Sequence, residues 1–153
     1  MNLNKMLATQ AELDKFTLGR SGVKEYPFNQ IMLALRVELG ELAQEWGEFK
    51  YWKKSRKETD KAALIEEWAD CMHFTLSLHS NNAQMVCEEA VTGITNFYIE
   101  EFDIYEMFDR AFVHHSLSIL IALGLRMGFS DEELEQAYFS KNKKNWERMK
   151  GDY

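Results

Sequence analysis

The sequence has little proline, little cysteine and no excess of positive charge. Its single proline, Pro27, ends the segment GRSGVKEYP, where two glycines also break the helical pattern. Cys71 and Cys87 lack the CxxC or Cys/His spacing of a zinc site, so we expect two buried free thiols, which suit a reducing cytoplasm. The formal net charge of −7 argues against stable nucleic-acid binding, which normally needs a basic excess.

Long apolar runs are also missing. The longest, LSILIALGL at residues 117–125, is too short to cross a bilayer. The first residues, MNLNKMLATQ, lack the apolar core and cleavage site of a signal peptide. With 46% apolar and 28% charged residues, the chain has a globular composition. We therefore expect a cytoplasmic protein that has no membrane contact and handles small molecules or metal ions.

Apolar residues recur at helical spacing, and no segment alternates as a strand would. The pattern predicts helices near residues 2–18, 29–52, 60–79 and 103–127, while residues 82–101 are ambiguous because they are rich in β-branched side chains. Ser130, with Glu133 three residues later, predicts the N-cap of a final helix. The fold class expected is all-α, with residues 1–153 forming one domain, a bundle of five or six helices.

Four glutamates stand close together in the second predicted helix. Steps of 100° per residue place Glu38, Glu41, Glu45 and Glu48 on one side, while leucines and aromatic residues occupy another side. Like charges at this spacing destabilise an isolated helix slightly. The pattern fits either a solvated helix face or a group of ligands for cations.

A second acidic pair lies in the third predicted helix, in the segment ALIEEWADCMHF. Glu67 and Asp70 are three residues apart within apolar sequence, and a helical hairpin would bring them towards the first group. Converging buried carboxylates need cations, and oxygen ligands of this kind suit Mg²⁺ or Mn²⁺. The alternative of a solvated acidic surface stays open at this point.

The last predicted helix carries a basic face. Lys141, Asn145 and Arg148 are spaced i, i+4 and i+7, so they share one side of the helix. They could hold a polyphosphate, or they could simply complement the helix dipole. Metal ligands together with phosphate donors are the components of a phosphoryl or pyrophosphoryl transfer site.

Several motifs in sequence order resemble the all-α, MazG-like nucleoside triphosphate pyrophosphatases, and most closely the dimeric dUTPases of Gram-positive bacteria and their phages. The motifs are QxxLD (Gln10, Leu13, Asp14), ExxE (Glu38, Glu41), FKxW (Phe49, Lys50, Trp52), ExxD (Glu67, Asp70), DxxHF (Asp70, His73, Phe74) and KNxxNxxR (Lys141, Asn142, Asn145, Arg148). Three positions depart from the family pattern, and the mildest departure is Trp68 in place of the commoner tyrosine. Met149 stands where glutamine usually follows the arginine, and Asp14 stands where many relatives have asparagine, which weakens the inference of uracil selectivity there.

The resemblance implies Mg²⁺-dependent hydrolysis of dUTP and dUDP to dUMP by a homodimer. It implies that Glu38, Glu41, Glu67 and Asp70 bind the metal ions and that Glu38 or Glu41 orients or deprotonates the attacking water. The residues implied for substrate binding are Gln10, Asp14, Lys50, Trp52, Lys141, Asn145 and Arg148.

Some residues allow two interpretations. Glu45 could be a further ligand or a solvated side chain, and His73 could orient the site or be a core histidine. Asn142 and Tyr153 are further candidates near the substrate. We expect Glu48 and Glu66 at the surface. His114 and His115 are expected to pack within the helix over residues 103–127.

Alternative functions remain at this stage. A related pyrophosphatase could act on dCTP or another nucleotide with the same carboxylates. A ferritin-like di-iron bundle would need two Glu-x-x-His motifs, of which the chain offers only the approximation Asp70/His73. A non-catalytic helical interaction protein would use the acidic faces for solubility and docking.

Overall fold

The regular structure of the protein is helical. The computed structural model describes residues 1–55, 58–81 and 85–151, and within these ranges it has seven helices and no strand. The helices are α1 (Leu3–Ser21), α2 (Phe28–Trp46), α3 (Lys61–Ser80), α4 (Glu88–Glu101), α5 (Ile104–Val113), α6 (Leu117–Arg126) and α7 (Asp131–Lys150). All of them contribute side chains to one hydrophobic core, which confirms the prediction of an all-α fold.

Helix α3 lies at the centre of this core. It packs against α1, α2, α6 and α7, and most of its residues from Trp68 to Leu78 are buried. The Trp68 side chain is fully buried, and its indole Nε1–H donates to the carbonyl oxygen of Leu120 at 2.8 Å. This hydrogen bond ties α3 to α6 where neither group can reach water, so breaking it would leave a buried donor unsatisfied.

Local capping explains where two of the helices begin. Ser130 accepts the Glu133 amide hydrogen, and the Glu133 carboxylate accepts the Ser130 amide hydrogen at 2.7 Å, so the predicted start of α7 is confirmed. Asp103 and Glu106 form the same reciprocal pair before α5. These pairs satisfy amide hydrogens that the first helical turn leaves without partners.

Helix α2 ends six residues before the predicted boundary at Trp52. Gly47 adopts a left-handed conformation with φ of 68°, and its amide hydrogen bonds the carbonyl of Ala43 at 2.9 Å. Glycine adopts this conformation without a Cβ penalty and is therefore a common helix stop. The prediction was wrong here because the aromatic residues after Gly47 continue the apolar spacing. Lys50 and Trp52 consequently lie in a loop.

The single helix predicted over residues 103–127 is two helices. His114 is extended, with φ of −120° and ψ of 125°, and the Ser116 side chain accepts the Ile119 amide hydrogen to cap α6. In such a cap the serine oxygen accepts an amide hydrogen that would otherwise bond to a carbonyl group within a continuous helix, so a new helix can begin here. The two histidines therefore do not pack within a helix as expected. His114 is exposed, and His115 packs edge-on against Phe28.

The ambiguous segment contains α4, although its β-branched residues weaken helical propensity. The hydroxyl groups of Thr92 and Thr95 donate to the carbonyls of Glu88 and Val91, at 2.9 and 2.8 Å, and so are satisfied inside the helix. This helix and the break at His114 explain why the structure describes seven helices where five or six were predicted.

Cys71 and Cys87 are both free, as predicted, but only Cys71 is buried. The expected burial of Cys87 is wrong because this residue precedes α4 at its N-cap position, where it is exposed. Within the described residues, none of the helices is both long enough and apolar enough to span a membrane.

The close contact of α3, α6 and α7 makes a test of the core possible. A Cβ at Gly124 would lie 2.8 Å from both Trp68 Nε1 and a Leu134 methyl carbon. We expect Gly124→Ala to lower the free energy of unfolding by about 1–2 kcal/mol, because overpacking outweighs the gain in helix propensity. Urea unfolding followed by circular dichroism measures the change.

Gly93 provides the matched control. It lies within α4, and a Cβ there would meet nothing within 4 Å. Gly93→Ala should therefore raise the free energy of unfolding by about 0.5–1 kcal/mol. Equal effects of the two substitutions would contradict the packing described for Gly124.

Candidate active site

Helices α2 and α3 bring acidic side chains together at the edge of the core. One carboxylate oxygen from each of Glu38, Glu67 and Asp70 lies within 4.8 Å of the others. The buried leucines of α2 and the buried Trp68–Ala69 pair of α3 fix the two backbones on either side of this group. The three side chains are half-buried, so the cluster faces both the core and the solvent.

Burial and mutual repulsion perturb these carboxyl groups. The pKa of Glu38 is raised to about 7, first by burial and then by the charges of Asp70, Glu41 and Glu67. Burial also raises the pKa of Glu67 and that of Asp70. A cation among them would remove the repulsion, and an all-oxygen donor set suits a hard divalent ion. The residues present therefore fit a metal ion of this class.

Glu41 lies at the margin of the group. It is exposed, and it does not belong to the set of oxygens within 4.8 Å. Its charge nevertheless helps to raise the pKa of Glu38 and of Glu67. The structure thus brings three of the four predicted metal ligands together, with Glu41 at a greater distance on the solvent side.

Among the described residues, the three-carboxylate group contains no histidine. A ferritin-like di-iron site would need a histidine from each of two helices. His73 instead pairs with Gln10, as described below. The arrangement therefore gives no support to the di-iron alternative.

Lys141 enters this group from α7. Its Nζ lies 2.6 Å from Asp70 Oδ2 and 3.1 Å from Glu66 Oε1, and its side chain is only 8% exposed. Lys144 also pairs with Glu66, at 3.0 Å. Glu66 remains partly exposed, as expected of a surface residue, but it takes part in an ion-pair network that sequence analysis missed.

A cavity of about 330 Å³ opens beside the carboxylates. Glu38 and Asp70 line it from α2 and α3, while Asn145 and Arg148 line it from α7. Gln10 and Asp14 of α1 also line the cavity. Two carboxylates of the acidic group and two residues of the predicted polyphosphate-binding face therefore border the same space, which spacing along the chain alone could not establish.

A chain of hydrogen bonds crosses the wall of the cavity. His73 Nδ1 lies 2.7 Å from Gln10 Oε1, and Gln10 Nε2 donates to Asp14 Oδ1 at 2.8 Å. Because the amide oxygen can only accept, Nδ1 of His73 carries the proton. Burial lowers the pKa of His73 to about 4, so the ring is neutral at pH 7. Its Nε2 is then an acceptor, and it has no hydrogen-bond partner among the described residues.

Other polar groups around the cavity were not predicted. Ser80 Oγ donates to Asp14 Oδ2 at 3.0 Å, and the Tyr26 hydroxyl donates to the carbonyl of Ser77 at 2.6 Å. Burial raises the pKa of Asp14 despite these hydrogen bonds. Tyr26 and Ser77 lie 51 residues apart in the sequence, and no spacing rule connects them.

The predicted site residues at the end of α2 and in the loop after it do not line this cavity. Lys50 Nζ donates to the carbonyl of Gln44 at 3.0 Å, and Trp52 is 60% exposed. Glu45 and Lys50 line a separate polar cavity of about 170 Å³. Because α2 ends at Gly47, Lys50 and Trp52 do not continue the helix face that carries Glu38 and Glu41.

The remaining candidates differ in position. Asn142 is buried and does not line the cavity, and Glu48 is exposed, as expected. Tyr153 lies outside the described residues.

The raised pKa of Glu38 has a consequence for stability. Between pH 4.5 and about 7 the folded protein holds a proton on Glu38 that the unfolded chain releases, so this group increasingly destabilises the folded state as the pH rises. In EDTA at pH 8, we expect Glu38→Gln to raise the free energy of unfolding by about 1 kcal/mol, after allowance for solvent screening. The gain should shrink towards pH 4.5. Urea unfolding at several pH values measures it.

Glu101→Gln is the control for this experiment, since Glu101 is an exposed residue at the end of α4. It should change the stability little at any of these pH values. A gain from Glu38→Gln that is constant with pH, or larger in acid, would rule out the described environment of Glu38.

Comparison with known proteins agrees with these features. A protein-family profile described as dUTPase matches residues 2–153, which is nearly the whole chain. The comparison with curated proteins gives no match. The family match covers all seven described helices and every predicted site residue. The chain therefore belongs to the dUTPase family and is a dUTP diphosphatase.

Proposed function

We propose that the chain hydrolyses dUTP, and dUDP, to dUMP with Mg²⁺, or Mn²⁺, bound by Glu38, Glu67 and Asp70 and assisted by Glu41. The observation that carries the proposal is the meeting of three carboxylate oxygens within 4.8 Å beside a cavity that Asn145 and Arg148 also line. Negative ligands for a cation and positive donors for phosphate are the two requirements for binding a metal–polyphosphate complex.

With dUTP, the reaction would cleave the phosphoanhydride link between the α- and β-phosphorus. Water adds to one of these two phosphorus atoms, the bridging oxygen leaves with the other, and the products are dUMP and pyrophosphate. Bound Mg²⁺ would supply charge neutralisation on the phosphates and would lower the pKa of the attacking water. Glu38 or Glu41 would orient this water and accept its proton. Glu38 suits the role because a base works best with a pKa near the working pH.

The donors from α7 would hold the polyphosphate. Arg148 offers paired N–H groups that match phosphate oxygens, and Asn145 stands one turn earlier on the same helix. Lys141 would add a third donor beside Asp70. These residues would hold the scissile phosphoanhydride next to the carboxylates, which lowers the entropic cost of reaction.

The nucleoside would occupy the part of the cavity lined by Gln10 and Asp14. Gln10 is held in one orientation because His73 donates to its carbonyl oxygen and its amide donates to Asp14. Fixed donors and acceptors of this kind discriminate between bases by their hydrogen-bonding edges. His73 would therefore orient the amide rather than bind metal.

We also propose a homodimer in the cytoplasm. Leu33 and Val37, one turn apart on α2, are 61% and 50% exposed, and Ile94 and Phe97 of α4 are 49% and 52% exposed. Apolar side chains exposed in this way commonly mark protein interfaces. The two free thiols suit a reducing compartment.

Loss of a proposed metal ligand should slow the reaction strongly. We expect Asp70→Asn and Glu38→Gln each to lower kcat/KM for dUTP by about 10³-fold in Mg²⁺, because the metal would lose a negative ligand. Release of pyrophosphate and formation of dUMP measure the rate. Glu101→Gln is the control and should keep the original activity, while circular dichroism verifies folding. Full activity in both site variants would refute the proposed metal centre.

Base selectivity is tested separately. We expect dUTP to be hydrolysed faster than dCTP or dTTP at equal concentration, with dUMP as product and no turnover in EDTA. Chromatography of the monophosphates measures each rate. Equal turnover of dCTP would show instead that the cavity belongs to a related pyrophosphatase with broader selectivity.

A further inference from the structure

Lys141 occupies a position that conflicts with a simple role in substrate binding. Its ammonium group makes close contacts with two carboxylates, at 2.6 Å to Asp70 and 3.1 Å to Glu66. One of these, Asp70, belongs to the group suited to a metal ion. A lysine side chain that is 8% exposed and held in this way is not free to reach a phosphate.

The lysine and a metal ion would compete for the same carboxylate. Oδ2 of Asp70 already accepts a charged hydrogen bond, and the ammonium charge beside it repels any further cation. For a metal ion to bind with full strength, Lys141 must therefore give up its contact with Asp70.

Glu66 offers the lysine a second partner. Glu66 and Asp70 are one turn apart on α3, so Lys141 can leave Asp70 and stay paired with Glu66. In that position its remaining N–H donors become available beside the cavity. A buried ammonium group thus avoids the cost of losing all its partners during the exchange.

We propose that Lys141 is a substrate-binding residue that exchanges partners. It pairs with Asp70 before metal binding, and it moves to the polyphosphate when a divalent cation takes Asp70, while Glu66 keeps its own contact with the ammonium group. This inference rests on the metal centre of the proposed function. It makes metal and nucleotide binding cooperative, because each favours the state in which Lys141 has left Asp70.

Lys144 provides a matched control for charge. It also pairs with Glu66, at 3.0 Å, but its side chain is 51% exposed. Lys144→Met removes the same unit of charge from the same region and leaves the Lys141–Asp70 contact intact. The difference between the two variants therefore isolates the contact from the general effect of charge.

The first experiment titrates the metal-free full-length protein with Mn²⁺ and follows free Mn²⁺ by electron paramagnetic resonance. We expect Lys141→Met to bind Mn²⁺ about tenfold more tightly than Lys144→Met. The metal ion would no longer have to displace the charged hydrogen bond between Lys141 and Asp70. Equal affinities, or weaker binding by Lys141→Met, would overturn the exchange. If Lys141→Met does not fold, Lys141→Gln takes its place with the same expected ranking.

The second experiment repeats the titration with a dUTP analogue that has an imido bridge between the α- and β-phosphorus and is not hydrolysed. The analogue should increase Mn²⁺ affinity by a larger factor in the unmodified protein than in Lys141→Met. If Lys141 had only a structural role, the analogue would increase Mn²⁺ affinity by the same factor in both proteins. That result would overturn the proposal.

The two proposals fail in different ways. If the unmodified protein and Asp70→Asn bind Mn²⁺ equally or not at all, the metal centre itself is wrong, and the exchange falls with it. If Asp70→Asn loses Mn²⁺ binding while Lys141→Met and Lys144→Met agree, the metal centre stands and only the exchange is wrong.

Discussion

The burial of α3 on several sides constrains the rest of the structure. Four helices pack around it, and between Trp68 and Leu78 most positions have no access to solvent. The acidic residues beside this buried stretch lie at half-buried positions of the helix. These residues are Glu67 and Asp70, and Glu38 of α2 meets them there. The packing of the core therefore brings the acidic side chains together. Because burial and mutual repulsion destabilise their negative charges, the group is suited to binding a cation.

The same packing determines what surrounds the acidic group. On one side, Lys141 reaches Asp70 from α7 and partly offsets the negative charge. On the other, His73 stacks on Tyr138 with ring centroids 4.6 Å apart and holds Gln10 through its protonated Nδ1. One helix therefore supplies two carboxylates to the acidic group and orients Gln10 at the proposed nucleoside site. A dUTPase needs both in register, because the base and the polyphosphate belong to one molecule.

Much of this arrangement follows from local sequence rules. Helical spacing predicted the all-α fold, and the Ser130–Glu133 pair correctly predicted where α7 begins. The boundaries that failed did so for local reasons that compete with apolar spacing. Gly47 stops α2 although aromatic residues follow it, and Ser116 starts a new helix inside an apolar stretch. A turn or a helix cap depends on single residues, whereas apolar periodicity is judged over many residues. The periodic pattern therefore did not reveal the helix breaks at Gly47 and Ser116.

The sequence by itself determined which residues could serve as ligands and donors, since residue type and helical spacing place Glu67 with Asp70 and Asn145 with Arg148 on common faces. Only the tertiary structure decided which faces meet. In the folded protein, Glu38 meets Glu67 and Asp70, while Glu41 lies at the margin of the group. Lys50 and Trp52 do not line the cavity. Lys141 pairs with Asp70. The physical reason is that contacts between helices depend on how buried side chains fit together across the core. No spacing along one helix encodes that fit.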